Sequence, residues 1–313
     1  MKVIVTGGAG FIGSHVVDAI IRRGLEVVVF DDLSTGDLRN VPAGVAFVRG
    51  DVSRPEELER VKEHVKGDET AIAHLAALVS VPEAMERPSR AFEVNVMGTV
   101  NVMELARRLD SYVVIASSAA VYGDPPSLPV SESAPTRPLS TYGASKLAAE
   151  AAVLAMARER GLRASALRLF NVYGPRMRPG PYAGVVLRFL TAALQGATPE
   201  VYGDGMNTRD FVYVTDAAEA FALAIERGAV GVFNVGTGRE TSVLELLELV
   251  SRVTGVQLRP AFRPPRPGDI RRSVADIRLA REQLGWSPRV TLEEGLRLTY
   301  EWLRSSSPST RTS

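Results

Sequence analysis

The sequence predicts an α/β protein: a doubly wound parallel sheet followed by a smaller C-terminal α/β region. Three observations predict it. Short valine- and isoleucine-rich runs alternate with helical stretches from the first residue onward. A glycine-rich turn stands at the first junction between strand and helix. After residue 171 the alternation loosens into segments punctuated by glycine and proline. Strands separated by helices at this spacing form βαβ units, whose sheet is parallel and covered on both faces.

Taken in order, the candidate strands are Lys2–Thr6, Glu26–Phe30, Ala46–Arg49, Ala71–Leu75, Tyr112–Ser117 and Arg163–Arg168. Helical patterns fill Phe11–Arg23, Glu56–Lys66, Arg90–Arg108 and Tyr142–Arg160 between them. Further on, short strands near Val201 and Phe211 separate helices around Val185–Gln195 and Ala217–Arg227, and the run Gly231–Val235 is placed to return to the main sheet. The expected division is therefore 1–173, with 206–235 rejoining it, against a second region of 174–205 and 236–304 that ends in two helices. The Ser/Thr-rich tail 305–313 is expected to be mobile.

Composition narrows the classes of function. The chain of 313 residues is 45% hydrophobic and 23% charged, with a net charge of +1, which leaves no basic footprint for nucleic acid or a membrane surface. It contains no cysteine, so disulfides, thiolate catalysis and cysteine-ligated metals are excluded. His15, His64 and His74 are too few and scattered for a zinc site, and no metal is expected. With a strand beginning at Lys2 and no apolar run of spanning length, the expectation is a cytoplasmic protein.

The strand Lys2–Thr6 runs into Gly7-Gly8-Ala9-Gly10-Phe11-Ile12-Gly13, which opens a helix. Glycines at 7, 10 and 13 allow a tight turn, close approach of backbone to a pyrophosphate, and close helix–sheet packing, the signature of a Rossmann-type dinucleotide site. On its own such a triplet could be no more than a tight turn. Here Asp31 and Asp32 follow the second strand, eighteen positions after Gly13. A carboxylate there accepts hydrogen bonds from both adenosine ribose hydroxyls and repels a 2′-phosphate, and no arginine immediately follows Asp31, so NAD is expected rather than NADP. Asp51 and Val52, ending the third strand, suit an adenine edge, although Asp51 would serve equally as a helix N-cap.

Tyr142-Gly143-Ala144-Ser145-Lys146 places a phenol and an ammonium one helical turn apart on one face. Half-ionising a tyrosine near pH 7 needs a shift of about three units, about 4 kcal/mol, which an adjacent ammonium and a nicotinamide cation together can supply. Incidental Tyr/Lys pairs are common on exposed helices. Lys146, however, is one of only four lysines in an arginine-dominated chain. Ser118 follows the strand Tyr112–Ser117, at the carboxyl edge where such sheets bind ligands, and can hydrogen-bond a reacting hydroxyl or relay its proton.

With these motifs in this order, the chain resembles the extended short-chain dehydrogenase/reductases, and specifically the UDP-glucose 4-epimerases. The similarity runs from Lys2 to about Arg304. It extends to His74-Leu75-Ala76-Ala77, Asn95, Leu167-Arg168-Leu169-Phe170-Asn171, Gly174-Pro175-Arg176, Arg209-Asp210-Phe211-Val212, Asn234-Val235-Gly236 and Arg266-Pro267-Gly268-Asp269. The resemblance implies a homodimer, a UDP-sugar substrate and a cofactor site drawing on Gly7, Gly10, Phe11, Ile12, Gly13, Asp31, Asp32, Leu33, Ser34, Asp51, Val52, Leu75, Ala76, Ala77, Asn95, Ser117, Tyr142, Lys146 and Phe170. It implies a catalytic set of Ser118, Tyr142 and Lys146. Substrate contacts would come from Ser118, Tyr142, Asn171 near the diphosphate, Val185, Tyr202 on the uracil, Arg209 and Arg266 on the diphosphate, and Asp269 on a ribose.

By that resemblance, Tyr142 as phenolate takes the proton of the sugar 4′-hydroxyl, assisted by Ser118. A hydride passes to NAD, the 4-keto sugar turns over within the site, and the hydride returns to the opposite face. Binding energy then belongs on the UDP, remote from the reacting carbon. Dehydratases and uronate decarboxylases of the superfamily carry a carboxylate immediately before the position of Val121, where this chain has Ala120, which argues for plain epimerisation. Ser273 stands where some relatives carry a tyrosine that excludes N-acetylated sugars, so an N-acetyl group is expected to fit. UDP-glucuronate epimerisation is the neighbouring alternative, with Arg188 as the cation it would want. Amino-acid dehydrogenation would not need Arg266 and Asp269, and a silent NAD-sensing regulator would not need Tyr142 and Lys146. The usual dimer surface of the family is the pair of helices Arg90–Arg108 and Tyr142–Arg160, whose apolar residues here, among them Val94, Val96, Met97, Val100, Val102 and Met103, fit a homodimer and fit burial inside the monomer nearly as well.

Overall fold

The computed structural model describes residues 1–178, 180, 183–265 and 269–306. Its centre is a seven-stranded parallel sheet. The first six strands are β1 (Lys2–Thr6), β2 (Glu26–Asp31), β3 (Ala46–Arg49), β4 (Thr70–His74), β5 (Tyr112–Ser118) and β6 (Ala164–Leu169), and the seventh is Gly231–Val235. They lie in the order Gly231–Val235, β6, β5, β4, β1, β2, β3. The direction of winding reverses between β1 and β4, so the crevice outside their carboxyl ends is where a sheet of this kind takes a ligand.

Apolar residues occupy both parities of the strands because both faces are covered. In β1, Val3 and Val5 face a cluster with Val16, Val17 and Ile20 of helix α1 (Phe11–Ile21) and with Phe221 and Ile225 of the helix Val214–Arg227. Ile4 faces the other way, toward Val102, Leu105 and Val153. Each of these side chains is buried, a gain of about 1.5–3 kcal/mol apiece. A third cluster, built on Phe189, Leu190, Val201, Phe211, Leu246 and Leu296, lies in the C-terminal region. Its short strands pair two by two: Asn171–Tyr173 with Phe211–Tyr213, and Glu200–Tyr202 with Ala261–Arg263, both parallel. The helix Val243–Thr254 starts on a capping box of Ser242 and Glu245.

Two helices expected as continuous are interrupted. The stretch 56–66 is one α-turn, Pro55–Leu58, followed by a 3-10 segment, Glu59–His64, which brings Leu58 and Val61 inward three residues apart. The stretch 90–108 is broken by a π-helical turn, Glu93–Met97, which turns Asn95 into the interior. The helix resumes at Gly98, where a Cβ would lie 2.7 Å from a Val52 methyl group. Of the apolar residues on these helices, Val102 and Met103 are buried within the monomer, the second of the two readings open to them. The C-terminal segment also returns to the first cluster. Trp286 is buried and donates its indole N–H to the Asp216 carbonyl at 2.8 Å. Among the described residues no helix is long and apolar enough to cross a membrane.

Candidate active site

The glycine turn is assembled from backbone contacts that leave no room for side chains. Gly7 has φ +72°, and a Cβ on it would sit 2.6 Å from the Ala76 nitrogen, so Leu75 and Ala76 form the wall beside the turn. A Cβ on Gly13 would stand 2.0 Å from the Gly7 carbonyl oxygen, which fixes how closely α1 starts against β1. Gly10 differs: a Cβ there would meet only the Gly7 oxygen, at 3.1 Å. Gly10 is also the N-cap of α1 and caps it with no side chain, so the first-turn amides remain available to an anion. Beside them Phe11 and Ile12 are half-buried.

Asp31 ends β2 with its carboxylate buried. It accepts from the amides of Ala9 at 3.0 Å and Leu33 at 2.8 Å. Burial pushes its proton affinity up, against those two amides. Its first task is thus to lash the glycine turn to the next loop, and the carboxylate's remaining lone pairs are what a ribose could use. Leu33 holds φ +62°, a left-handed conformation that is costly for a side chain of this size. Asp32 accepts from the Ser34 amide and hydroxyl, at 2.8 and 2.6 Å. These observations fit a dinucleotide: an open helix start, a cradle that a Cβ would fill, and a carboxylate at the end of the second strand.

At the far end of that site Asp51 lines one cavity with Asp32, Arg49 and Gly50, and it is not a helix N-cap. Asp51 is ion-paired to Arg90 and accepts from the Ser53 amide and hydroxyl, both at 2.8 Å, while Arg54 takes the N-cap position of the following helix. Burial opposes the charge of Asp51, but Arg90 and Ser53 prevail and its carboxyl titrates below the usual range. Val52 is a core residue, 3% exposed. Asn95 is 1% exposed and cannot line a cofactor cleft directly. Its amide bridges the Leu78 backbone and the Ser145 hydroxyl, tying the loop after β4 to the catalytic helix. The Phe170 ring is likewise buried, against Tyr122.

Ser117 is a further correction. Adjacent residues of a strand face opposite sides, so Ser117 and Ser118 cannot both face the crevice. Ser117 faces back and donates to a Glu150 oxygen at 2.6 Å. Ser118 faces forward, beside the phenol of Tyr142, and its hydroxyl accepts from the Ala120 amide at 3.2 Å. Tyr142 stands in the first turn of the helix Thr141–Arg160, which Ser140 caps by accepting from the Gly143 amide at 3.0 Å. Burial raises the proton affinity of the phenol and the nearby Ser118 hydroxyl lowers it. One turn on, Lys146 is buried, and desolvation brings its ammonium down to about 8 in spite of the nearby Glu150 charge. Behind it His74 bridges the hydroxyls of Thr6 and Thr99, at 2.6 and 2.9 Å. Burial, with the Lys146 charge, holds that imidazole at about 3, hence neutral.

This arrangement can do one kind of chemistry well. A phenol, a hydroxyl and an ammonium converge at the carboxyl edge of the sheet, beside a helix start suited to a pyrophosphate. The comparisons agree. The sequence profile of the NAD dependent epimerase/dehydratase family matches residues 3–236. This chain belongs to that family. Within the epimerase/dehydratase family it is similar to the UDP-glucose 4-epimerase of Mycolicibacterium smegmatis, 41% identical over 98% of this chain and all of that one. The UDP-glucose 4-epimerase of Thermotoga maritima, crystallised with UDP-glucose, superposes with a TM-score of 0.93 at 40% identity, covering 97% of this chain and 99% of the other. The UDP-glucose 4-epimerase of Thermus thermophilus, complexed with NAD, gives 0.92 at 42% identity, covering 98% of this chain and all of the other.

The second region brings together some of the expected substrate residues. Arg209 and Asp269 form an ion pair at 2.5 Å, and Arg209 also donates to the Thr208 and Ile270 carbonyls, both at 2.7 Å. Asn171 has an exposed side chain, and Val185 begins the helix Val185–Gln195. The Tyr202 hydroxyl donates to Glu200 at 3.1 Å and its ring lies 5.9 Å from the Arg188 guanidinium. Arg266, expected on the diphosphate, lies outside the described residues, as does the tail from 307 on.

The sequence reading gave no role to Glu150 and Arg168, which form a buried ion pair directly behind Ser117. The available signal was a lone carboxylate in the run Leu147-Ala148-Ala149-Glu150-Ala151-Ala152, four positions after Lys146.

Proposed function

We infer that this protein is an NAD-dependent epimerase acting at C4 of a UDP-hexose, interconverting UDP-glucose and UDP-galactose. The observation that carries this reading is the placement of Ser118 beside the Tyr142 phenol, with Lys146 one turn away. When bound, NAD supplies the reversible two-electron acceptor that removes and restores the hydrogen at the sugar carbon. Gly10 and the start of α1 hold its pyrophosphate, Asp31 its adenosine ribose, and Lys146 its nicotinamide ribose. Tyr142 takes the proton of the 4′-hydroxyl and later gives it back, and Ser118 orients that hydroxyl. Lys146 stabilises the phenolate electrostatically. Arg209, Asp269, Asn171 and Tyr202 grip the nucleotide, so that the sugar itself is free to turn over. Positions 119 and 120, directly after Ser118, are alanines, so neither supplies a carboxylate to drive elimination.

The division into a dinucleotide part, 1–173 with 206–235, and a nucleotide-sugar part, 174–205 with 236–304, accompanies this reading, as does a cytoplasmic location. A homodimer is supported by the exposed apolar side chains of Val81, Met85, Phe92 and Met97 along the segment 81–97. Analytical ultracentrifugation should give a dimer, which Phe92→Glu with Met97→Glu should split. The small, buried Ser273 favours entry of N-acetylated sugars. Purified protein given UDP-galactose without added cofactor should yield UDP-glucose, and Tyr142→Phe should abolish the turnover. No product from the wild type would refute the function, and no turnover of UDP-N-acetylgalactosamine would refute the wider pocket.

A further inference from the structure

Glu150 follows Lys146 by four helical positions, the spacing at which a lysine and a glutamate ordinarily pair. They do not pair here. The Glu150 carboxylate is 2% exposed and is taken by Arg168, which donates from Nη2 to one oxygen at 2.5 Å and from Nε to the other at 3.1 Å. The second oxygen also accepts the Ser117 hydroxyl at 2.6 Å. Arg168 is held in turn: it donates to the Tyr122 hydroxyl at 2.8 Å and the Glu132 carbonyl at 2.9 Å. The Tyr122 hydroxyl passes on to the Asn234 side chain at 2.7 Å.

A buried ion pair is a poor source of stability, since well-packed apolar residues do as well or better. What this one does provide is geometry. Fixing Ser117 to the back of β5 aims Ser118 to the front, because the strand alternates. We propose that the Glu150–Arg168 pair is a positioning element for the proton transfer: Arg168 keeps the Glu150 carboxylate off the Lys146 ammonium, and that carboxylate fixes the strand end presenting Ser118. This rests on the catalytic reading of Ser118, Tyr142 and Lys146. With the Glu150 carboxylate committed to Arg168 and Ser117, its charge reaches Lys146 without forming an ion pair with it, and the ammonium keeps its field on Tyr142. Its other charged or titratable neighbours are Tyr142 and Glu150 on its own helix and the neutral His74 on β4. Through Arg168, Tyr122 and Glu132 are coupled as well.

The test is the pH dependence of kcat for UDP-galactose in Glu150→Gln, Arg168→Met and the double variant, with bound NAD and Tm measured on each. Glu150→Gln leaves the arginine charge unbalanced, which favours phenolate, so the acid limb should move down by about half a unit or more. Arg168→Met frees the carboxylate to take Lys146, so the limb should move up by a similar amount, about half a unit. The double variant should return to the wild-type limb with kcat about tenfold lower, and with KM and bound NAD preserved. Shifts in one common direction, or none, would overturn the proposal. If the single variants do not fold, the double decides: the tenfold loss supports it and a wild-type kcat overturns it. Tyr142→Phe run in parallel separates the two levels, since undiminished turnover there would refute the catalytic reading itself.

Discussion

The guanidinium of Arg209 lies 2.5 Å from the carboxylate of Asp269, so two side chains expected to hold different parts of one nucleotide hold each other. The pair is half-buried, and Arg209 also donates to two carbonyls, which fixes the fork in place before any diphosphate arrives. Burial lowers the proton affinity of Arg209, and Asp269 opposes that.

Arg209→Ala should therefore weaken UDP binding by about 2 kcal/mol, roughly thirtyfold, with a smaller effect on kcat. Calorimetric titration with UDP measures it. An unchanged affinity would show that the fork serves only to hold the loop at Ile270.

The glycines of the first turn should separate by what they face. Gly13→Ala puts a methyl 2.0 Å from a backbone oxygen and should destabilise the fold by about 3 kcal/mol or more. Gly10→Ala meets only one oxygen at 3.1 Å and should leave the apoprotein nearly as stable while lowering its NAD content severalfold. Thermal melts of apoprotein, paired with cofactor extracted after acid denaturation, distinguish them.

The buried histidines make the protein acid-sensitive. His74 and His15 titrate at about 3 and about 4 when folded, depressed chiefly by burial. Their ordinary value is near 6.5, so the unfolded chain binds these protons first, and stability present above about pH 6.5 is lost as pH falls toward 4. Each contributes a slope of about 1.4 kcal/mol per pH unit in that window. Urea unfolding from pH 7 to 4 should show the decline. His74→Gln should be less stable at pH 7 yet have a shallower slope, and an equal slope would count against a neutral buried His74.

Asp210, beside Arg209, should prove structural. It is fully buried and accepts from the Thr237 amide and hydroxyl and the Gly238 and Ala275 amides, at 2.6–3.1 Å. Asp210→Ala would strand those donors and should cost about 3–5 kcal/mol, read as a lower urea midpoint.

Much of this site was legible along the chain. The glycine turn, Asp31, Ser118, Tyr142 and Lys146 each sit within one local element, and strand or helix periodicity alone aims them at the same edge. The residues that were misjudged are those whose role depends on a distant partner. Ser117 and Ser118 are indistinguishable in sequence until Glu150, 33 positions away, claims one hydroxyl. Asn95 looks like a cleft residue until a π-helical turn rotates it inward.

The sequence by itself determined the parallel sheet, its winding and the chemistry at its carboxyl edge, because alternation of strand and helix and the i, i+4 spacing are properties of neighbouring residues. Only the tertiary structure decided which polar groups face the crevice and which are buried behind it. A buried hydroxyl, amide or carboxylate must find a hydrogen-bonding partner, and that partner is supplied by packing between elements far apart in the chain.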